Sequence, residues 1–173
     1  MRVVAGDFKG RRLHGPRGSR TRPTADRVRE ALFSMLGDVS GARVLDLYAG
    51  SGALGIEALS RGATSAVFVE RDPQAVGAIE RNLAAVGVEA VVVRQDALRW
   101  LARAEGPFDL VFCDPPYDSA SRLAGPLAER LPALTPDDAR IVTESDKRHP
   151  LELPFPLLTE RSYGDTRIAI HGR

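Results

Sequence analysis

From Arg43 onward, short apolar runs alternate with helical stretches, and this alternation constrains the fold more than any other feature of the chain. Strands are expected at 44–47, 66–70, 90–93, 110–113 and 140–143, with a final pair near 157–161 and 167–171. Helices are expected between them at 53–61, 73–86, 97–104 and 121–131. Strands that are almost continuously apolar require cover on both faces. The expected fold is therefore α/β, a mostly parallel seven-stranded sheet with right-handed crossover helices on either side. The last two runs are joined across 163–166 and read as a C-terminal antiparallel hairpin. At 173 residues the chain can bury one substantial core.

Residues 1–40 follow a different pattern and are read as a small N-terminal extension, with the α/β body at 41–173. Segments 2–4 and 9–13 suit a hairpin around Gly6 and Gly10, and 15–23 is rich in Gly, Pro and Arg and reads as loop. Thr24 is placed as a helix N-cap, with Val28, Leu32, Met35 and Leu36 forming an apolar stripe and Gly37 as the stop. The formal net charge of +1 conceals an asymmetry. Residues 1–30 carry nine basic side chains against Asp7, Asp26 and Glu30, a local charge of +6, and the rest of the chain carries −5. A cationic arm on a mildly acidic body suits an anionic polymer, because each Lys or Arg that neutralises a phosphate releases a counterion.

No apolar segment reaches bilayer length, and Asp7, Lys9, Arg11 and Arg12 interrupt any secretory pattern, so a cytoplasmic location is expected. The lone Cys113 excludes an internal disulfide. The scattered His14, His149 and His171 have no metal-ligand spacing, so no metal is expected.

The segment Asp46-Leu47-Tyr48-Ala49-Gly50-Ser51-Gly52-Ala53-Leu54-Gly55 follows the first strand and opens a helix. Such a turn lies at the carboxyl edge of a doubly wound sheet, where glycines let backbone approach a ligand. Asp46, Tyr48, Ala49, Gly50, Ser51, Gly52 and Gly55 are thus candidate cofactor residues. The three glycines alone fit a dinucleotide site equally well. Glu70, with Arg71 beside it, ends the second strand and can accept both hydroxyls of a ribose, whether of NAD or of S-adenosylmethionine. Asp96, with Ala97, stands where it can meet an adenine amino group, or can simply cap the next helix.

Asp114-Pro115-Pro116-Tyr117 follows the fourth strand and separates these possibilities. An exocyclic amine is a poor nucleophile because its lone pair is delocalised into the ring. A side-chain oxygen of Asp114 and the carbonyl of Pro115 can each accept one N–H and hold the nitrogen for in-line attack on a sulfonium methyl. Two prolines fix the backbone, and Tyr117 offers a ring on which a flipped base can stack. Nicotinamide chemistry has no use for this tetrapeptide.

The tetrapeptide together with the glycine turn resembles the amino-directed class of Rossmann-like S-adenosylmethionine-dependent methyltransferases. Gly6-Asp7-Phe8-Lys9-Gly10-Arg11-Arg12-Leu13, Thr21-Arg22-Pro23-Thr24, Asp26-Arg27-Val28-Arg29-Glu30-Ala31-Leu32-Phe33 and Tyr163-Gly164-Asp165-Thr166 narrow the likeness to the bacterial 16S rRNA guanine-N2 methyltransferases. The resemblance implies methyl transfer from S-adenosyl-L-methionine to a guanine of 16S rRNA in an assembling 30S particle. It places the methionine part of the cofactor near Asp46 and the glycines, the ribose at Glu70, the adenine near Asp96 and the target base at Asp114, Pro115, Pro116 and Tyr117. Lys9, Arg11, Arg12, Arg20, Arg22, Arg27 and Arg29 are the candidate RNA contacts, which position a nucleic acid without reading its bases. A monomer is expected. Alternatives are a DNA amino-methyltransferase acting on adenine N6 or cytosine N4, for which this length leaves no target-recognition region, and a non-catalytic RNA-binding assembly factor. Cys113 would be needed for cytosine-C5 chemistry, but its place in a buried strand favours an inert core thiol. Trp100 reads as helix packing and His14 as a loop contact.

Overall fold

The computed structural model describes residues 1–16, 23–116 and 120–173. Helix α1 (Pro23–Leu36) precedes an alternating series of β1 (Arg43–Leu47), α2 (Ala53–Ser60), β2 (Ser65–Glu70), α3 (Pro73–Val86), β3 (Val91–Arg94), α4 (Ala97–Leu101), β4 (Leu110–Cys113), α5 (Ala120–Arg130) and β5 (Arg140–Asp146). The hairpin β6 (Leu157–Tyr163) and β7 (Thr166–Gly172) ends the series. The seven strands form one sheet in the order β3-β2-β1-β4-β5-β7-β6. Strands β1 to β5 pair in parallel, and β7 runs antiparallel to both β5 and β6.

Local chemistry explains the boundaries. Asp72 caps α3 by accepting from the Gln74 N–H at 2.8 Å, Pro73 takes the first helical position, and Gly87 closes the helix at φ 77°. Asp96 caps α4 in the same way, accepting from Arg99 N–H at 3.1 Å. Alternation along each strand then assigns side chains to two cores. Val44, Phe68, Leu110, Phe112 and Val142 pack under α1, α2 and α3, whereas Leu45, Leu47, Val69, Val111 and Ile141 pack under α4 and α5. Phe33 of α1 meets Phe112 at 5.8 Å between ring centroids.

The sequence-based outline needs three adjustments. Helix α1 begins at Pro23, so Thr24 lies inside it, where proline's preset φ suits the first turn. Helix α4 ends at Leu101 and does not reach Ala104. The expected N-terminal hairpin is short: Arg2 pairs antiparallel with Arg12, and backbone N–H groups of Val3, Gly10 and Leu13 donate to the carbonyls of Arg11, Val3 and Met1. Gly6, at φ 79°, lies so close to the Ser60 carbonyl that no Cβ would fit. Val3, Leu13, Leu32 and Phe33 are buried in the same core as the sheet, so the arm is packed onto the body. None of the described helices is long and apolar enough to cross a membrane.

Candidate active site

The carboxyl ends of β1, β2 and β4 carry the chemically distinctive residues side by side. Asp46 and Phe112 are paired in register, as are Asp46 and Phe68. Glu70 and Asp114 stand two residues beyond Phe68 and Phe112, so alternation turns both toward the α1–α3 face, one row above Asp46. Beyond β1 the backbone turns sharply through Tyr48 at φ 61°, Gly50 at 58° and Gly52 at 75°. Positive φ at Tyr48, a bulky residue, is strained backbone and marks this turn as a built feature.

The turn is held by two carboxylates. Glu70 accepts from Gly50 N–H at 2.9 Å through Oε2, and from Arg71 and Asp72 N–H at 2.7 and 2.9 Å through Oε1. Asp46, only 2% exposed, accepts from Gly55 N–H at 3.0 Å. A Cβ at Gly55 would fall 2.4 Å from Phe68 Cε1, so glycine is required there for packing. At Gly50 a Cβ would meet only the Tyr48 carbonyl at 3.9 Å, which leaves the backbone facing open space.

At the same sheet edge lies a crevice of about 330 Å³ lined by Tyr48, Glu70, Arg71, Asp114, Pro115 and Pro116. A second hollow of about 440 Å³ adjoins it, sharing Tyr48, Arg71 and Pro116 and adding Asp96, Leu98, Arg122 and Leu123. Together they make a trough from Asp114 to Asp96 with carboxylates along its length. An elongated ligand with a polar head, a ribose and a heterocycle fits that chemistry.

Burial sets the electrostatics. It pushes the Asp46 carboxyl up to about 8, opposed by the Gly55 hydrogen bond and reinforced by the charges of Asp114 and Glu70. It also raises Asp114 to about 6. Cys113, 1% exposed, has its thiol raised well above its usual value by burial and by Asp114, consistent with the inert-core reading. Trp100 packs on Phe108 at 6.2 Å.

The structure brings Tyr48, Glu70, Arg71, Asp96, Asp114, Pro115 and Pro116 to one trough. It sets Asp46, Ala49, Ser51, Gly52, Gly55 and Ala97 behind it as scaffold, Ala97 being buried at the first position of α4. Tyr117, Arg20 and Arg22 lie outside the described residues. Lys9, Arg11, Arg12 and Arg27 are exposed. Arg29 is a correction. It is 4% exposed, its Nε lies 3.3 Å from Glu57 Oε2 and its Nη2 lies 3.0 Å from Asp26 Oδ1, so it is a structural cation and not an RNA contact. The helical period separates positions 27 and 29 by about 200°.

Three residues escaped sequence reasoning. Asn82, fully buried, occupies a position in the apolar stripe of α3. Its Nδ2 donates to the carbonyls of His14 and Ser51, both at 2.9 Å, and its Oδ1 accepts from His14 N–H at 2.8 Å. Glu57, also fully buried, accepts from Val4 and Ala5 N–H and pairs with Arg29 and Arg61. Glu144 of β5 follows Thr143 as Asp114 follows Cys113, the register partner of Thr143. For Asn82 and Glu57 the available signal was a polar residue at a core position of the periodic pattern, whereas Glu144 lies one residue beyond the expected strand and carried no such signal.

The sequence profile of the family described as Conserved hypothetical protein 95 matches residues 1–172. Ribosomal RNA small subunit methyltransferase D of Escherichia coli (strain K12) is 44% identical over 119 residues, covering 68% of this chain and 60% of its own length. The Haemophilus influenzae protein of the same name is 36% identical over 174 residues, covering 95% of this chain and 89% of its own. The solved structure of a Thermus thermophilus protein, TTHA0928, superposes with a TM-score of 0.85 at 32% identity, covering 100% of this chain and 99% of that one. The chain therefore belongs to the Conserved hypothetical protein 95 family, and it is similar to the ribosomal RNA small subunit methyltransferases D over most of its length.

Proposed function

We propose that this protein transfers a methyl group from S-adenosyl-L-methionine to the exocyclic N2 of a guanine in 16S rRNA, within an assembling 30S particle in the cytoplasm, and that it acts as a monomer. The observation that carries this reading is the emergence of Asp114, Pro115 and Pro116 from β4 directly into the crevice that Glu70 and the glycine turn border. When bound, S-adenosylmethionine supplies a sulfonium methyl: the nitrogen–carbon bond forms, the carbon–sulfur electron pair stays on sulfur, and one proton must leave the nitrogen.

The chain supplies position and charge. Glu70 and Asp96 would hold the ribose and adenine along the trough, with Arg71 at the rim and Ala97 fixing the start of α4. Asp46, Tyr48, Ala49, Gly50, Ser51, Gly52 and Gly55 would shape the wall against the methionine end. Asp114 Oδ and the Pro115 carbonyl accept the two N–H groups of the base amine, which localises its lone pair toward the methyl. Tyr117 would stack on the flipped base. We assign residues 41–173 to this chemistry and residues 1–40 to RNA binding, through Lys9, Arg11, Arg12, Arg20, Arg22 and Arg27, whose phosphate contacts fix register on the RNA.

The test is transfer of labelled methyl to 30S particles from cells lacking this gene, beside naked rRNA and duplex DNA, followed by nucleoside analysis. N2-methylguanosine in the particles is expected. Asp114→Ala should lower the rate by about a hundredfold or more at unchanged cofactor affinity, the scale set by losing one transition-state hydrogen-bonding group. Label in DNA alone, or full activity in Asp114→Ala, would overturn the assignment.

A further inference from the structure

Glu144 lines neither hollow of the trough, yet the strand that carries it borders the strand that leads into Asp114. Glu144 lies on β5, whose parallel register against β4 pairs Phe112 with Val142 and Cys113 with Thr143. The next position along brings Glu144 alongside Asp114 at the strand ends, on strands about 4.8 Å apart. Phe112 and Val142 share the core beneath α1–α3, so Asp114 and Glu144, each two residues on, turn to that same face. β1, which leads into the glycine turn, borders β4 on one side and Glu144 borders it on the other.

We propose that Asp114 and Glu144 share one proton across neighbouring strands, with Glu144 donating it to Asp114 so that Asp114 meets the base amine as a fixed, ionised acceptor. Glu144 is then a positioning residue for methyl transfer. This inference rests on the methyl-transfer reading above. Two carboxyls on adjacent positions do not readily ionise together, and environments that push their titrations apart assign them separate roles. Burial raises Asp114 to about 6, and burial with the charge of Asp114 raises Glu144 to about 8, so near neutral pH the pair carries one proton and one negative charge. During transfer the proton released from the base nitrogen passes to the Asp114 oxygen that accepted its N–H, and from there to water.

The other groups facing Glu144 leave this pairing in place. On β7 its register partner is Ile168, and beyond that strand stands the exposed Arg161 of β6. Asp146, one pleat further along β5, is engaged by Arg148 at 2.8 Å. Tyr163 of β6 lies in register with Thr166, which pairs with Asp146. Asp46 lies two strands away on the same face. On the β4 side, Asp114 directly follows the strand, and Cys113, the titratable group within it, belongs to the opposite core under α4 and α5.

The experiment is the pH dependence of single-turnover methyl transfer to 30S particles for the wild type, Glu144→Gln and Glu144→Ala, with cofactor affinity measured on each by calorimetry. The wild type should give a bell, rising as Asp114 ionises and falling as Glu144 loses the shared proton. Glu144→Ala should lower the plateau about tenfold or more, the scale of a lost hydrogen bond to a charged group. Glu144→Gln, whose amide N–H still donates to Asp114, should restore most of that rate and lack the alkaline limb. An alkaline limb that persists in Glu144→Gln would overturn the proposal while leaving methyl transfer intact. A wild type that binds cofactor but methylates nothing would overturn both. Carboxyl-carbon NMR titration gives a readout without turnover: Asp114→Asn should move the Glu144 midpoint toward lower pH, and an unmoved midpoint would also overturn the proposal.

Discussion

Gly50 and Gly55 carry the same letter in the same motif and do different work. Gly50 has open space where a Cβ would stand, whereas Gly55 lies against the Phe68 ring with Asp46 Oδ2 only 3.1 Å from where a Cβ would be. A methyl at position 55 must displace a fully buried aromatic side chain or the carboxyl that accepts the Gly55 N–H. Gly55→Ala is expected to destabilise the fold by about 1–3 kcal/mol, as overpacking of a filled core does, and to weaken cofactor binding with it. Thermal melts and calorimetry on the variant check both; unchanged values in each would show that Phe68 has room to move. The motif therefore announced a tight turn but could not say which glycine has open space beside it and which is packed. Arg27 and Arg29 repeat the lesson. Both belong to a basic cluster, and only the position of Glu57, 28 residues further along, buries one of them.

At the scale of elements, α2 and α3 hold the arm by three buried polar residues, Glu57, Ser60 and Asn82, with the Ser60 hydroxyl accepting from Phe8 N–H and donating to the Ala5 carbonyl. Glu57 of α2 takes two arm N–H groups, Val4 at 2.8 Å and Ala5 at 2.9 Å, and two guanidinium groups. Removing it strands the buried Arg29 beside a single remaining carboxylate, Asp26. Glu57→Ala should cost about 3–5 kcal/mol, the usual penalty for orphaning a buried ion-pair partner. Limited trypsin digestion should then cut first at Arg11 or Arg12, before the body is attacked. An arm that stays protected would mean that Ser60, Asn82 and the apolar contacts of Val3 and Leu13 suffice. Most elements were legible in advance because period-2 and period-3.6 patterns are local. The arm was less so, since its partners on α2 and α3 lie 52 to 68 residues away and leave no local period.

For the whole molecule, pH should act through the acids crowded at the sheet's carboxyl edge. Asp46 and Glu144 are raised to about 8 and Asp114 to about 6, so the folded protein holds protons that the unfolded chain releases near pH 4. A raised carboxyl contributes stability fully below its unfolded value and loses it as pH climbs through the folded one. The ligand-free protein should therefore melt at progressively lower temperature between about pH 5 and pH 8. Asp109 and Asp146, lowered by hydrogen bonds from Arg43 and Arg148, act oppositely, and their contribution disappears below about pH 4. A melting temperature that stays flat or rises from pH 5.5 to 8 would sink this account. The α/β class and the terminal hairpin were readable at this scale because alternation fixes a parallel sheet and a short Gly-containing turn fixes an antiparallel return. Strand order was not, because sequence order does not show that β7 lies inside the sheet with β6 outside it.

That placement governs how the sheet is completed in time. β6 is made before β7 yet touches the sheet only through it, so it has no ladder partner until its successor has slotted in beside β5. A chain emerging from the ribosome thus passes through a stage in which β5 offers an unpaired edge and β6, with its exposed Leu157 and Leu158, is still unattached. The last strand closes both vacancies together, and chaperone dependence or aggregation during synthesis should be concentrated in that interval.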